Sequence, residues 1–180
     1  SLPREVSLDS QGNLVQKPYS ALTAMRTNVA IEKSDFNLSG SLSLSPVQGR
    51  TLELCATFAT GQDDFGFTFF GDGNKSARLV FSPRKGIVKL DLSTIDRIVQ
   101  DDVFGGIYES KLPKPIEKGN DVKLTVYVDH SIIDVFVNDT YAASVRVFPK
   151  NKDAVFTSVF CDGNVMVKNL GAYVLDANQK

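Results

Sequence analysis

The chain has 180 residues, 42% of them apolar and 23% charged, and its 20 basic and 21 acidic side chains leave a formal net charge of -1. With an isoelectric point near 5.8 and Lys and Arg scattered rather than striped, it has no field that would gather phosphates, which excludes nucleic acid as a partner. A globular domain of this size buries about 70% of its unfolded surface around one core.

The first strand-like run, Arg4-Glu5-Val6-Ser7-Leu8, stands at the start of the chain. Further on the apolar period is 2 rather than 3.6, through Leu38, Leu42 and Leu44, then Leu52, Leu54, Ala56 and Phe58, then Phe65, Phe67 and Phe69. The breaks carry turn residues: Gly61-Gln62-Asp63-Asp64, Gly71-Asp72-Gly73-Asn74, Ser82-Pro83-Arg84-Lys85-Gly86, Lys118-Gly119-Asn120-Asp121 and Asp162-Gly163-Asn164, most of them hairpin-sized. The clearest hairpin joins the runs at 77–81 and 87–92, where Pro83 presets the turn and Gly86 accepts positive φ.

Over 93–101 a helix capped by Ser93 and a loop are equally compatible with the sequence, because Thr94 and the pair Asp101-Asp102 weaken the helical face of Ile95, Ile98 and Val99. Pro113 and Pro115 discourage pairing between 111 and 119. Leu124-Thr125-Val126-Tyr127-Val128 alternates cleanly, whereas 132–137 is apolar on both parities and suits a strand covered on both faces, another domain being one candidate cover. About eleven short strands without intervening helices predict an all-β fold of two antiparallel sheets packed as a β-sandwich, a concanavalin-like jelly roll. No repeat or linker divides the chain, so 1–180 reads as a single module.

No apolar run approaches the roughly 20 residues that cross a bilayer, so the membrane is not an expected partner. A start without Met, opening directly on a strand, suggests processing or excision. Cys55 and Cys161 stand 106 positions apart in apolar contexts and read as buried free thiols.

The segment Asp129-His130-Ser131-Ile132-Ile133-Asp134-Val135-Phe136-Val137-Asn138-Asp139, followed by Arg146-Val147-Phe148-Pro149, resembles the C-terminal β-sandwich of glycoside hydrolase family 32, the invertase, inulinase and levanase family. At the front, Pro3-Arg4-Glu5-Val6-Ser7-Leu8 and Asn13-Leu14-Val15-Gln16-Lys17-Pro18 are similar to that family's passage from its catalytic domain into this module, so the resemblance runs from Pro3 to about Val174. Asp134 stands where the family more often has Glu, and Thr140 where it often has Gly; both mark a subgroup. The resemblance implies a parent whose N-terminal five-bladed propeller hydrolyses β-fructofuranosyl bonds, with this module packed against it. The catalytic motifs Asn-Asp-Pro-Asn-Gly, Arg-Asp-Pro and Glu-Cys do not occur here, so the chain alone is expected to be inactive.

Site chemistry points the same way. A retaining glycosidase needs two carboxyl groups about 5 to 5.5 Å apart, and Asp63-Asp64 and Asp101-Asp102 read instead as solvated turn residues. Asp134, inside an apolar strand, must be hydrogen-bonded to offset its desolvation. Arg146 on the adjoining strand is the expected partner that pins the register; alternatively Asp134, with Asp129, Ser131, Phe136, Asn138 and Arg146, faces the propeller. His130 is the only His, which excludes a His-based metal site, and its place between Asp129 and Ser131 reads as a turn rather than part of a catalytic triad. Asp72-Gly73-Asn74 and Asp162-Gly163-Asn164 lack the rest of a calcium loop, and no metal or cofactor is expected.

A second reading is a fructan-binding module, with Tyr19, Tyr108 and Tyr173 as candidate sugar contacts; the absence of Trp counts against it. Tyr127 and Tyr141 lie in strand patterns that favour burial. The sequons at Asn37, Asn74 and Asn138 matter only in a eukaryotic secretory pathway. The expected partners are thus the propeller and, on the second reading, fructan or sucrose. A secreted or periplasmic location is favoured over a cytoplasmic one because polymeric fructans do not cross membranes unaided.

Overall fold

The computed structural model describes residues 1–59, 61–96, 106–113, 116–117 and 119–178. Among these the chain forms twelve strands and a short 3-10 helix. β1 (Arg4–Leu8) and β2 (Leu14–Pro18) make a separate hairpin, followed by the 3-10 helix (Ser20–Met25) and the long β3 (Arg26–Ser43). Then come β4 (Thr51–Phe58), β5 (Phe65–Asp72), β6 (Lys75–Ser82), β7 (Ile87–Asp91), β8 (Ile107–Lys111), β9 (Val122–Asp129), β10 (Ile132–Val137), β11 (Tyr141–Arg146) and the long β12 (Phe156–Leu175). Among the described residues no helix is long and apolar enough to cross a membrane.

The main sheet runs β11-β10-β9-β4-β12-β5-β6-β7-β8, with β3 on the other side of β12, and every pairing is antiparallel. β12 pairs with β5 through residues 156–161 and with β4 through 167–174. One strand therefore belongs to both halves, and the sheet curls over its own core as a β-sandwich. The expected all-β sandwich is what forms.

The period-2 residues meet inside this curl. Leu52, Leu54, Ala56 and Phe58 of β4 join Leu124, Val126, Ile133, Val135, Phe65 and Phe67 in one buried cluster. The Phe58 and Phe65 rings stack with centroids 4.2 Å apart, and Phe81 lies 5.4 Å from Phe65. Each such side chain contributes roughly 1.5–3 kcal/mol by leaving water, which is why alternation alone fixed the inward parity.

Most turns form where the sequence places them. Gly86 has φ 60° and its N–H donates to Ser82 O at 2.9 Å, closing the β6–β7 hairpin. Asp162-Gly163-Asn164 is different: it is a bulge inside β12, with the register shifting between Cys161 and Asn164 as the strand passes from one half of the sandwich to the other. The Asp63 carboxylate lies where a Cβ at Gly163 would be, 2.1 Å from Oδ2, and accepts the Asn164 N–H at 3.1 Å. A distant loop thus turns a hairpin signal into a kink. The alternatives over 93–101 and the pair Asp101-Asp102 fall largely outside the described residues; Ser93, which donates through its backbone N–H to Asp91 at 3.0 Å, begins a turn.

Candidate functional site

β10 is covered on both faces, as its double apolar parity requires, but the outer cover is the chain's own N-terminal segment rather than another domain. On the outer face five side chains form one register row across five strands: Ser144, Asp134, Tyr127, Glu53 and Tyr173. The adjacent row carries Phe136, and Leu22, Tyr127, Phe136, Tyr173 and Leu175 pack there as a second small core with Leu2 and Met25 against it.

Two carboxylates sit in this covered row, Asp134 at 1% and Glu53 at 3% exposure. Burial at that level demands partners, and the N-terminal segment supplies them. Arg4 Nη2 donates to Ser144 Oγ at 2.7 Å and stands 3.4 Å from Asp134 Oδ1, while the Leu2 N–H donates to Asp134 Oδ2 at 3.0 Å. Ser144 Oγ also donates to Asp134 Oδ1. Arg26 grips Glu53 with two bonds, Nε to Oε2 at 2.8 Å and Nη2 to Oε1 at 2.6 Å. This bidentate pairing raises the Arg26 guanidinium's affinity for its proton, so it stays charged.

Each arginine also covers an aromatic ring of the same face: Arg4 lies 5.4 Å from the Phe136 centroid and Arg26 3.8 Å from that of Tyr173. The same device is used twice, at the two ends of residues 1–26. Between them Tyr127 stands edge-on to Phe136 at 6.4 Å, its phenol pushed up by burial and by the Glu53 carboxylate. Tyr173 Oη donates to Glu32 at 2.6 Å.

The β1–β2 hairpin is tied down as well. The Gln16 N–H donates to Asp139 O at 2.7 Å, and the Ser20 N–H to Glu5 Oε1 at 2.8 Å, a bond that holds the Glu5 carboxyl below its ordinary range. Beside the hairpin lies a groove of about 630 Å³ whose walls include Asp9, Leu14, Gln16, Lys111, Thr140 and Tyr141. A smaller cleft of about 300 Å³ separates Leu2 and Met25 from Asp129 and His130.

The residues singled out in the sequence fall into separate places. Asp134 and Phe136 belong to the outer face, in adjacent rows. Asp129 and His130 are exposed in the β9–β10 turn, where His130 has φ 51° and its Nδ1 lies 2.8 Å from Asp129 Oδ1; Ser131 O accepts the Val147 N–H at 2.9 Å. Asn138, at the opposite end of β10 with φ 48°, accepts the Lys123 N–H at 2.6 Å and donates to Asp121 O at 3.2 Å, so its amide closes a turn. Its neighbour Asp139 also has positive φ, and the Thr140 N–H donates to Val137 O, which makes a type I′ turn.

The expected Arg146–Asp134 pair does not form. Arg146 stands opposite Ile132 and its guanidinium covers the Phe148 ring at 5.5 Å, while the residue opposite Asp134 is Ser144. Two positions along an antiparallel strand place Arg146 on the same face but too far along, and Arg4, from 130 positions upstream, takes the charge instead. The three candidate tyrosines form no common platform. Tyr19 is 48% exposed, Tyr108 packs partly against the core from β8, and Tyr173 is only 8% exposed beneath Arg26, which leaves its ring no free face for a sugar.

Sequence reasoning missed Glu53 and Arg26, and gave Arg4 no role. Glu53 occupies the polar parity of an alternating strand, which reads as facing solvent. No sequence signal marks that a remote segment covers it. Cys55 and Cys161 are both free, Cys161 buried and Cys55 partly so; burial pushes the Cys55 thiol up to about 11. Among the described residues no group of three or more His, Cys, Asp or Glu is placed to hold a metal ion.

Comparison with known proteins agrees with this architecture. Residues 20–174 match the family described as Glycosyl hydrolases family 32 C terminal. The chain is 26% identical over 163 residues to a sucrose-6-phosphate hydrolase from Staphylococcus xylosus, covering 88% of this chain and 31% of that protein. Among solved structures it superposes on fructan 1-exohydrolase IIa from Cichorium intybus with a TM-score of 0.79 and 18% identity, over 98% of this chain and 41% of the other. Exo-inulinase from Aspergillus awamori gives 0.79 and 22%, over 98% of this chain and 35% of the other. These structural likenesses concern the fold, and the chain spans about a third of the relatives' length. With 155 of its residues matched to one family, from 20 to 174, the chain belongs to the C-terminal domains of the family 32 glycosyl hydrolases.

Proposed function

We infer that the chain is the non-catalytic C-terminal module of a β-fructofuranosidase that cleaves sucrose, inulin or levan, and that it packs against and stabilises the catalytic β-propeller of its parent. The observation that carries this reading is the family match over residues 20–174, joined to relatives of which the chain covers only 31% to 41%. Site chemistry supports it. The two most buried carboxylates among the described residues, Asp134 and Glu53, already spend their oxygens on arginines and a serine under a covered face. They are not free to protonate a leaving group or attack a sugar. Asp63 and Asp64 are likewise engaged, by the Asn164 N–H and by Ser82 Oγ at 2.8 Å.

Two assays test the reading. Residues 1–180 alone are expected to release no fructose from sucrose, inulin or levan above a buffer blank, whereas the parent protein releases it. The parent's catalytic domain is expected to melt at lower temperature once this module is removed. Fructose release by 1–180, or an unchanged melting temperature after its removal, overturns the corresponding half of the reading.

A further inference from the structure

The tripeptide Asp-Gly-Asn occurs twice in the chain, at 72–74 and at 162–164. In an Asp-Gly pair no side chain shields the backbone nitrogen that follows the carboxyl. That nitrogen can reach the side-chain carboxyl carbon wherever the backbone is free to turn. The two sites share their local chemistry, and the fold treats them in opposite ways.

Residues 72–74 end a hairpin. Asp72 stands opposite Lys75, the last pair of β5 and β6, and the ladder shifts register between Phe69 and that pair. Gly73 and Asn74 make the exposed two-residue turn. Gly73, at φ 58°, has nothing beyond its chain neighbours within 4 Å of the place a Cβ would take, and among the described residues no backbone carbonyl accepts its N–H. The Asp72 carboxylate accepts Asn151 Nδ2 at 2.6 Å in an exposed bond, which water can replace.

Residues 162–164 lie inside β12, which pairs with β3 on one edge and, up to Cys161, with β5 on the other. The Asp162 N–H donates to Asp64 O at 2.8 Å, the Asn164 N–H donates to Asp63 Oδ2 at 3.1 Å, and the Asp63 carboxylate stands against Gly163. Turning the peptide between Asp162 and Gly163 breaks these bonds within a strand held from both edges. Exposure does not separate the two sites, because the Asp162 side chain is 59% exposed; the freedom of the backbone does.

We propose that Asp72 is a site of spontaneous covalent modification, isomerising to isoaspartate through a succinimide, and that the β12 bulge protects Asp162 from the same reaction. The Gly73 backbone nitrogen attacks the Asp72 side-chain carboxyl carbon. A C–N bond forms, and the nitrogen's proton leaves with the carboxyl hydroxyl as water, which closes a five-membered imide ring. Water then adds to one of the two ring carbonyls. Opening at the side-chain carbonyl restores aspartate, whereas opening at the main-chain carbonyl leaves the peptide running through the side chain beside a free α-carboxylate. One water leaves and one returns, so mass and oxidation state are unchanged and no co-reactant is needed. The chain gains a methylene at the turn, and the carboxylate that Asn151 grips moves to the α-carbon.

The test incubates the full-length protein that carries this chain, native and in urea, and follows isoaspartate at both sites by peptide mapping with electron-transfer fragmentation, which tells the two linkages apart. In the native protein isoaspartate is expected to accumulate at 72 at least about tenfold faster than at 162, and in urea the two rates are expected to agree within about threefold. Equal native rates, no isoaspartate at 72, or an unchanged preference for 72 in urea overturns the proposal. Asp72→Glu, whose longer side chain would have to close a six-membered ring, is expected to abolish the signal at 72 and leave 162 as it was; a signal that persists overturns the route. Asp63→Ala removes the carboxylate that holds Asn164 and is expected to speed native isomerisation at 162 by about threefold or more. An unchanged rate there overturns the protection assigned to the bulge. The inference goes beyond the function proposed above and does not rest on it: a protein that releases no fructose leaves the modification standing, and equal rates at the two sites leave the function standing.

Discussion

Arg4 and Asp134 meet across 130 positions of sequence, with Arg4 Nη2 3.4 Å from Asp134 Oδ1, and the same carboxylate accepts the Leu2 N–H through its other oxygen. A carboxylate of β10 thus fastens the chain's first strand to the outer face of the sandwich. Asp134→Ala removes the acceptor of Arg4, Leu2 and Ser144 together and is expected to cost about 3–5 kcal/mol. Arg146→Ala, which the sequence alone would rank equal, is expected to change stability by about 0.5 kcal/mol or less. Urea unfolding of both variants checks the contrast, and equal losses would contradict this assignment.

Arg26 and Glu53 form the second clamp, and a double-mutant cycle tests it. Arg26→Met strands a buried carboxylate, at about 3–5 kcal/mol, whereas Glu53→Gln leaves a guanidinium that is 28% exposed and still reaches water, at about 1–3 kcal/mol. The double variant is expected to cost clearly less than the sum, because the charge that remains in each single variant is gone. Additive losses would mean that the two groups do not depend on each other.

The phenol of Tyr127 is pushed up by burial and by Glu53, and that of Tyr173 by burial and its bond to Glu32. A group that holds its proton more tightly when folded contributes stability that is complete below its unfolded value, about 10 for Tyr, and lost as pH rises beyond it. The urea midpoint is therefore expected to fall steadily above about pH 10. Tyr127→Phe is expected to flatten that fall. An equal decline in the variant would assign the pH dependence elsewhere.

Burial also raises both thiols, Cys55 to about 11, so little thiolate exists near neutrality. At pH 8 a disulfide reagent is expected to label the native protein at least about tenfold more slowly than the protein in urea. Rapid labelling of Cys55 in the native state would show that the outer face opens.

A Cβ at Gly163 would meet the Asp63 carboxylate, the end of a half-exposed side chain that can swing aside. Gly163→Ala is therefore expected to cost about 0.5–1.5 kcal/mol, the bond from the Asn164 N–H to that carboxylate. Asp63→Ala is expected to cost about as much, and the double variant no more than either, in urea unfolding. A double variant that loses the sum of the two would refute this assignment.

What the sequence determined by itself was everything that depends on local alternation and turn chemistry. Leu52, Leu54, Ala56 and Phe58 declare their inward parity, and the Ser82-Pro83 to Gly86 turn declares its hairpin, because each is settled within a few residues. The motif around Asp134 likewise placed the chain among family 32 C-terminal domains. Tertiary structure alone decided what lies over the second face. Glu53 has the local pattern of a solvent-facing residue, and the double apolar parity around Asp134 announces a cover without saying what it is; only the docking of residues 1–26 makes both of them ion-pair partners of Arg26 and Arg4. It decided as well that Asp162-Gly163-Asn164 bends a strand rather than ending one, since the carboxylate that fixes the kink comes from Asp63. Local patterns report which face a side chain takes; what covers that face depends on groups a hundred residues away, and no short window contains them.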